Sequence, residues 1–254
     1  MRCELEDRNV LVTGGSRGIG REIAAAFSAE GARVALTYHS GREQAEEAAR
    51  ELGADRGRAL ALPYSLGDPA SSDAVVDRVV DEWGSLDVLV ANAVSRGVRR
   101  APGEGAQEVS EEEWGKVLLD NLHGTMRLTL KALNAGMRTS GWGRIVLLSS
   151  HNALGGGRGQ EFYGASKAGL HGFARSLAWD VGGAGVLVNV VCPGLTGTDP
   201  VLTVLPEHVR EGERRLTPSG RLSTPREVAA AVVFLGSGAN GNITGEALSV
   251  SGGR

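Results

Sequence analysis

Tyr163 and Lys167 stand four residues apart, and Ser150 precedes Tyr163 by thirteen residues across a glycine-rich loop. On a helix, positions i and i+4 lie one above the other on a single face. A free phenol has a pKa of about 10 and is a weak acid–base catalyst near neutrality. A neighbouring ammonium favours the phenolate and lowers that pKa. Such a tyrosine exchanges a proton with a carbonyl or alcohol oxygen. A serine hydroxyl folded back beside it would hydrogen-bond the same oxygen. Taken alone, Tyr-x-x-x-Lys recurs by chance, so the surrounding elements decide whether these residues form a site.

A second pattern lies near the N-terminus. The apolar run Asn9-Val10-Leu11-Val12-Thr13 ends in Gly14-Gly15-Ser16-Arg17-Gly18-Ile19-Gly20, and an amphipathic helix is expected from Arg21 to Glu30. Strand, glycine turn and helix in that order let backbone amides at Gly14, Ser16, Arg17, Gly18, Ile19 and Gly20 approach a pyrophosphate at a helix N-terminus. A nucleotide fold that selects NAD usually ends its second strand in an acid, which bonds the ribose 2′-hydroxyl. Here Thr37-Tyr38-His39-Ser40-Gly41-Arg42 carries no acid. Its hydroxyls, Arg42 and above all Arg17 suit a 2′-phosphate, so NADPH is expected over NADH.

The remaining chain supplies the elements that must position these groups. Strands are expected at Arg33–His39, Arg58–Tyr64, Leu86–Ala93, Gly143–Ser150, Leu187–Val191 and Ala247–Val250. Helices are expected at Arg42–Gly53, Ser71–Trp83, Glu111 to about Met137 behind a Ser110 cap, Glu161–Asp180 and Pro225–Leu235. This alternation predicts an α/β fold. It is a single Rossmann-type, doubly wound domain over residues 1–254, with a seven-stranded parallel sheet flanked by helices on both faces. Ser150 falls at the C-terminal end of a strand, the edge where such sheets bind ligands. Residues 195–224 read as a lid with one short helix near Glu207–Arg215. Gly97–Gly105 reads as an irregular segment.

Composition narrows the class of function. A net charge of −3 offers no basic excess for nucleic acid or an anionic membrane. No apolar run of about 18 residues suggests a membrane span. The Met1–Arg8 segment lacks the apolar core of a signal peptide. Cys3 and Cys192 are far apart without metal-type spacing, as expected of reduced thiols in a cytoplasmic protein.

Together these motifs resemble the classical short-chain dehydrogenases/reductases along essentially the whole chain, most closely the β-ketoacyl-carrier-protein reductase and polyketide ketoreductase branch. The glycine loop, Asn121, the Ser150, Tyr163 and Lys167 set, and Pro193-Gly194 followed by Thr196 and Thr198 fall in the family's order. The resemblance implies NADPH/NADP+ as cofactor, Tyr163 as general acid, and Ser150 polarising the substrate oxygen. Lys167 would lower the Tyr163 pKa and hold the nicotinamide ribose. Asn121 would link Lys167 to solvent through its main chain and a water. Pro193, Gly194, Thr196 and Thr198 would contact the nicotinamide. It implies no metal and a homo-oligomer, a tetramer before a dimer, acting on a small-molecule substrate.

Two departures touch the cofactor site. Ala91-Asn92-Ala93-Val94 replaces the family's Asn-Asn-Ala-Gly, setting a branched side chain near Asn92 and Ala93, where it could narrow the pocket. Ser65, ahead of Leu66, stands where the family places an Asp or Asn for the adenine. His151 and Asn152 follow Ser150 directly and are candidates for a polar substrate contact. The expected activity is hydride transfer to a ketone, or to an imine, of a small organic or acyl-type substrate, as in secondary metabolism. The alternatives are a non-catalytic nucleotide-binding scaffold and an epimerase or dehydratase that uses the cofactor transiently.

Overall fold

The computed structural model describes residues 2–97, 100 and 103–254. Positions 98, 99, 101 and 102, within the Gly97–Gly105 segment expected to be irregular, lie outside the described residues.

Seven strands form one sheet: β1 (Asn9–Val12), β2 (Arg33–Tyr38), β3 (Ala59–Pro63), β4 (Val88–Ala91), β5 (Gly143–Leu148), β6 (Val186–Pro193) and β7 (Ala247–Val250). Their order is β3-β2-β1-β4-β5-β6-β7, and every pairing is parallel. Strands β1, β4, β5 and β6 are buried along their whole length. That explains their near-continuous apolar runs, since both faces are covered. On one face lie α3 (Pro69–Trp83), α5 (Thr125–Ala132) and α8 (Glu161–Val181), whose Val75, Leu128 and Leu170 join one half of the core. On the other lie α1 (Gly18–Ala29), α2 (Arg42–Glu51) and α11 (Pro225–Leu235), whose Phe27, Ala45 and Val232 join the other half. Strand order reverses between β1 and β4, so the ligand crevice opens there, at the C-terminal strand ends.

The long helix expected over Glu111–Met137 is interrupted twice. It runs as α4 (Glu111–Leu118), opens into a π turn over Leu119–Gly124, and resumes as α5. Within that turn, Asn121 Nδ2 donates to the Val117 carbonyl at 3.1 Å, one turn back. A second π segment, Leu133–Met137, contains non-helical Ala135 and Gly136, the latter at φ 115. There the Ala135 carbonyl leaves the helix to accept from the Leu86 amide at 3.1 Å. A short α6 (Arg138–Ser140) then leads into β5.

The 195–224 segment, expected to be a lid, also differs in its helices. It holds two helices, α9 (Asp199–Val204) and α10 (Glu207–Leu216), where one was expected. Helix α1 starts three residues earlier than expected, inside the glycine loop itself, and α3 starts at Pro69 behind an Asp68 cap that accepts from Ala70 N. A one-turn α7 (Asn152–Gly155) follows Ser150.

Candidate active site

The glycine loop is fixed from three sides. Gly14 adopts φ +64, and the Gly14 amide donates to Thr37 Oγ1 at 3.0 Å. Thr13 Oγ1 accepts from the amides of Asn92 at 3.0 Å and Ala93 at 2.9 Å. Asn92 Nδ2 donates to the carbonyls of Thr13 at 2.8 Å and Gly14 at 3.2 Å. Asn92, expected among the cofactor ligands, thus spends its amide on holding the turn. A Cβ at Gly20 would collide with the Gly14 carbonyl, so the turn can form only without one. Arg17 caps α1 in extended conformation without a side-chain cap bond. Its guanidinium makes no hydrogen bond or ion pair among the described residues, and it stands exposed beside the free amides of the helix start. Ser16 is buried, and Ile19 packs on the core beside it.

Of the β2 residues expected to select the cofactor, Tyr38 packs against the core, while His39 and Ser40 are exposed. Arg42, expected beside them, starts α2. Its side chain is 75% exposed and pairs with Glu46 at 2.6 Å, one turn along α2. An i,i+4 partner of opposite charge is always at hand on a helix, which a distant anion is not. Ser65 gives its amide to Ser71 Oγ at 2.8 Å, and Leu66 packs on the core with its carbonyl against Gly124. Val94 is 51% exposed.

The catalytic candidates converge at the ends of β5 and β6. Ser150 Oγ accepts from the Asn152 amide at 3.2 Å and lies beside the Tyr163 hydroxyl, whose pKa it lowers. Gly97 lies close against Tyr163: a Cβ there would stand 3.3 Å from the tyrosine Cβ. Lys167 is fully buried, and its ammonium donates to the Leu148 carbonyl at 2.8 Å, 5.9 Å from the centroid of the Tyr163 ring. Burial pushes the phenol pKa up, and the Ser150 hydroxyl pulls it back only in part. Burial acts on the lysine as well, holding its pKa at about 8. In both cases the low-dielectric surroundings disfavour the charged form.

Asn121 is wholly buried. Its Oδ1 accepts from Ser95 N at 2.9 Å and its Nδ2 donates to Ser95 O at 2.9 Å, clamping the segment after β4. The π turn that carries it packs against α8. Past β6, Thr196 is buried with Oγ1 on the Gly194 carbonyl at 3.0 Å. Thr198 arches back over the glycine loop, its Cγ2 only 3.4 Å from where a Gly18 Cβ would stand. The Pro193–Thr198 segment and the glycine loop thus share one crevice.

His151 and Asn152 are placed less directly. The Asn152 side chain bonds Gln160 at 3.4 Å, tying the loop to the start of α8. His151 gives its amide to Pro193 O at 2.8 Å and lines a cavity of about 660 Å³ with Leu154, Ser251 and Arg254. Its Nδ1 is buried without a partner, and burial lowers its pKa. Sequence reasoning missed Thr13 and Thr37 as anchors of the turn. The signal was a threonine at the inner end of two adjacent parallel strands.

The crevice fits a dinucleotide on its own geometry: a helix start with uncapped amides, a turn that no Cβ could enter, and a free cation beside it. The sequence model of the enoyl-(acyl carrier protein) reductase family matches residues 14–254. The chain is similar to the 3-oxoacyl-[acyl-carrier-protein] reductase of Vibrio cholerae, 40% identical over 249 residues, covering 98% of each chain. It is similar to the same reductase of Escherichia coli, 40% identical over 248 residues, covering 98% of this chain and 97% of the relative. The acetoacetyl-CoA reductase of Rhizobium meliloti is 40% identical over 250 residues, covering 97% and 98%.

Proposed function

Because the chain belongs to the short-chain dehydrogenase/reductase family, as an oxidoreductase of its ketoreductase type, we propose that it reduces the ketone of a 3-oxoacyl thioester with NADPH. The observation that carries this reading is convergence. Ser150, Tyr163 and Lys167 meet at the ends of β5 and β6, and Thr198 joins that edge to the glycine loop. Relatives named for 3-oxoacyl and acetoacetyl thioesters span nearly the full chain.

NADPH, when bound, supplies a hydride. Ser150 Oγ holds the substrate oxygen, and the Tyr163 hydroxyl gives that oxygen its proton as the alkoxide develops. Lys167, released from the Leu148 carbonyl, would bind the nicotinamide ribose and favour the Tyr163 phenolate. The Asn121 backbone at the π turn would return a proton to Lys167 from solvent. Arg17 would hold the ribose 2′-phosphate, with Tyr38, His39 and Ser40 around it and Ser65 and Leu66 at the adenine. Ala93, Pro193, Gly194 and Thr196 would line the nicotinamide. Residues 195–224 would close over substrate, with His151 and Asn152 behind Ser150.

We further read the chain as one domain and a cytoplasmic homotetramer. Leu119 at 61% exposure and Leu130 at 48% lie on the interrupted long helix, and Trp179 at 89% lies on α8. Such apolar exposure suits a self-association face. Among the described residues no helix is long and apolar enough to cross a membrane. A monomeric mass by light scattering at micromolar concentration would remove the oligomer reading.

The deciding experiment is a fluorescence titration with NADPH and, separately, NADH, followed by turnover of acetoacetyl-CoA. Binding with NADPH preference and release of NADP+ in step with product supports the reading. Binding of neither cofactor overturns it in favour of a scaffold. Turnover without net NADP+ release overturns it in favour of an epimerase or dehydratase.

A further inference from the structure

We propose that His171 is a positioning residue for this reduction, acting through Ser149 and Cys192 to set Lys167 at the junction of β5, β6 and α8; the proposal rests on the functional reading above. Each of the three residues adjoins a part of the site. Ser149 precedes Ser150, Cys192 precedes Pro193, and His171 lies one turn beyond Lys167 on α8. They meet at one atom. His171 Nε2 stands 2.8 Å from Ser149 Oγ and 3.5 Å from Cys192 Sγ.

The hydrogen-bond inventory fixes the direction of these contacts. Ser149 Oγ donates to the Lys167 carbonyl at 3.1 Å. A hydroxyl has one proton, so the short contact to Nε2 requires the imidazole to donate. His171 therefore carries its proton on Nε2, with the Cys192 sulfur as a second, weaker acceptor. Ser149 is 6% exposed and Cys192 wholly buried, so no water competes for these groups from their side. Removing the imidazole would strand Ser149 beside the backbone of Lys167 and free α8 to shift against the two strand ends.

That shift matters because Lys167 has little else to locate it. Among the described residues its ammonium reaches only the Leu148 carbonyl, at the strand end that leads into Ser149. The same strand end thus holds both ends of the lysine: Leu148 the ammonium, and Ser149 the backbone carbonyl. Like Ser149 and Cys192, His171 is neither a proton donor to substrate nor a contact of the cofactor in the reading above. It fixes geometry, and a displacement of about 1 Å at such a point costs up to roughly 100-fold in rate.

The test uses the full chain carrying His171→Leu and His171→Gln, the glutamine amide replacing the Nε2–H donor. With NADPH and acetoacetyl-CoA, His171→Leu is expected to lower kcat roughly tenfold, with KM and NADPH Kd within about twofold, and His171→Gln to recover most of the loss. Wild-type kcat in His171→Leu, or no recovery in His171→Gln, overturns the proposal. Should His171→Leu fail to fold, Ser149→Ala carries the same test, with a fall in kcat expected and an unchanged kcat overturning it. A wild-type protein inactive on 3-oxoacyl thioesters would instead remove the functional reading. In that case the nitrogen-15 shifts of His171 still decide the pivot: the Nε2–H tautomer supports it and the Nδ1–H tautomer overturns it.

Discussion

The Lys167 ammonium stands 5.9 Å from the centroid of the Tyr163 ring and is bonded to the Leu148 carbonyl, not to the tyrosine. The lysine is thus stored against the end of β5 in a fully buried position that disfavours its charge. This arrangement makes its contribution to stability depend on pH.

Lys167 normally titrates at 10.5 and is held at about 8 in the fold. The unfolded chain then binds more protons than the native one between those values, so stability rises with pH across that window. The cost of the buried charge is fully present below pH 8 and is relieved as pH climbs toward 10.5. It is on the order of 3 kcal/mol. Lys167→Met is therefore expected to be inactive yet no less stable than wild type at pH 7, with the difference shrinking by pH 10. Urea midpoints at the two pH values check this, and a variant less stable than wild type at pH 7 contradicts it.

Tyr163→Phe removes the proton donor and leaves the ring packing intact. The expected loss in kcat is roughly 10²–10⁴-fold. NADPH affinity, read by fluorescence, should stay within a few-fold. Unchanged turnover in this variant would remove the acid–base mechanism whatever the fold.

The two arginines near the cofactor crevice should separate cleanly. Arg17 is exposed beside the uncapped start of α1, whereas Arg42 is engaged by Glu46 at 2.6 Å. Arg17→Ala is expected to weaken NADPH roughly tenfold, the scale of one charge-assisted hydrogen bond, and to leave NADH unchanged. Arg42→Ala should leave both cofactors nearly unaffected. Titrations with each cofactor are sufficient; equal losses of NADPH and NADH in Arg17→Ala would count against phosphate recognition.

Gly20→Ala tests the turn itself. The added methyl would collide with the Gly14 carbonyl and approach Asn92 Nδ2 to 2.5 Å, both parts of a fixed loop. A destabilisation of about 1–3 kcal/mol is expected, together with loss of NADPH binding. Full binding in the alanine variant would mean that the loop is free to move.

Much of this was legible in the sequence because it depended on local pattern. The strand, glycine turn and helix order around Gly14–Gly20 needs no distant partner to be read, and neither do the continuous apolar strands of a parallel sheet. What escaped was set by side chains that compete with the backbone or with each other. Asn121 looked like one residue of a straight helix, yet it sits in a π turn and bonds the Val117 carbonyl through its side chain. Asn92 looked like a cofactor ligand, yet two carbonyls of the glycine loop claim its amide. Arg42 looked like a phosphate ligand, and it also pairs with its i,i+4 neighbour Glu46. Each depends on which of two partners wins, and sequence spacing leaves that contest open.

The π turn at Leu119–Gly124 has an architectural consequence. It accommodates one residue more than an α-helix would over the same length. Excising a single residue there would let the helix run straight, but everything beyond would rotate by about 100° about the axis. Leu128 and Ala132, both wholly buried, would swing out of the core. The extra residue is thus a phase shifter: it keeps the two halves of one long rod aimed at the same hydrophobic wall while bending the backbone at Asn121. A family of chains with this device should tolerate point substitutions in the rod far better than single-residue deletions.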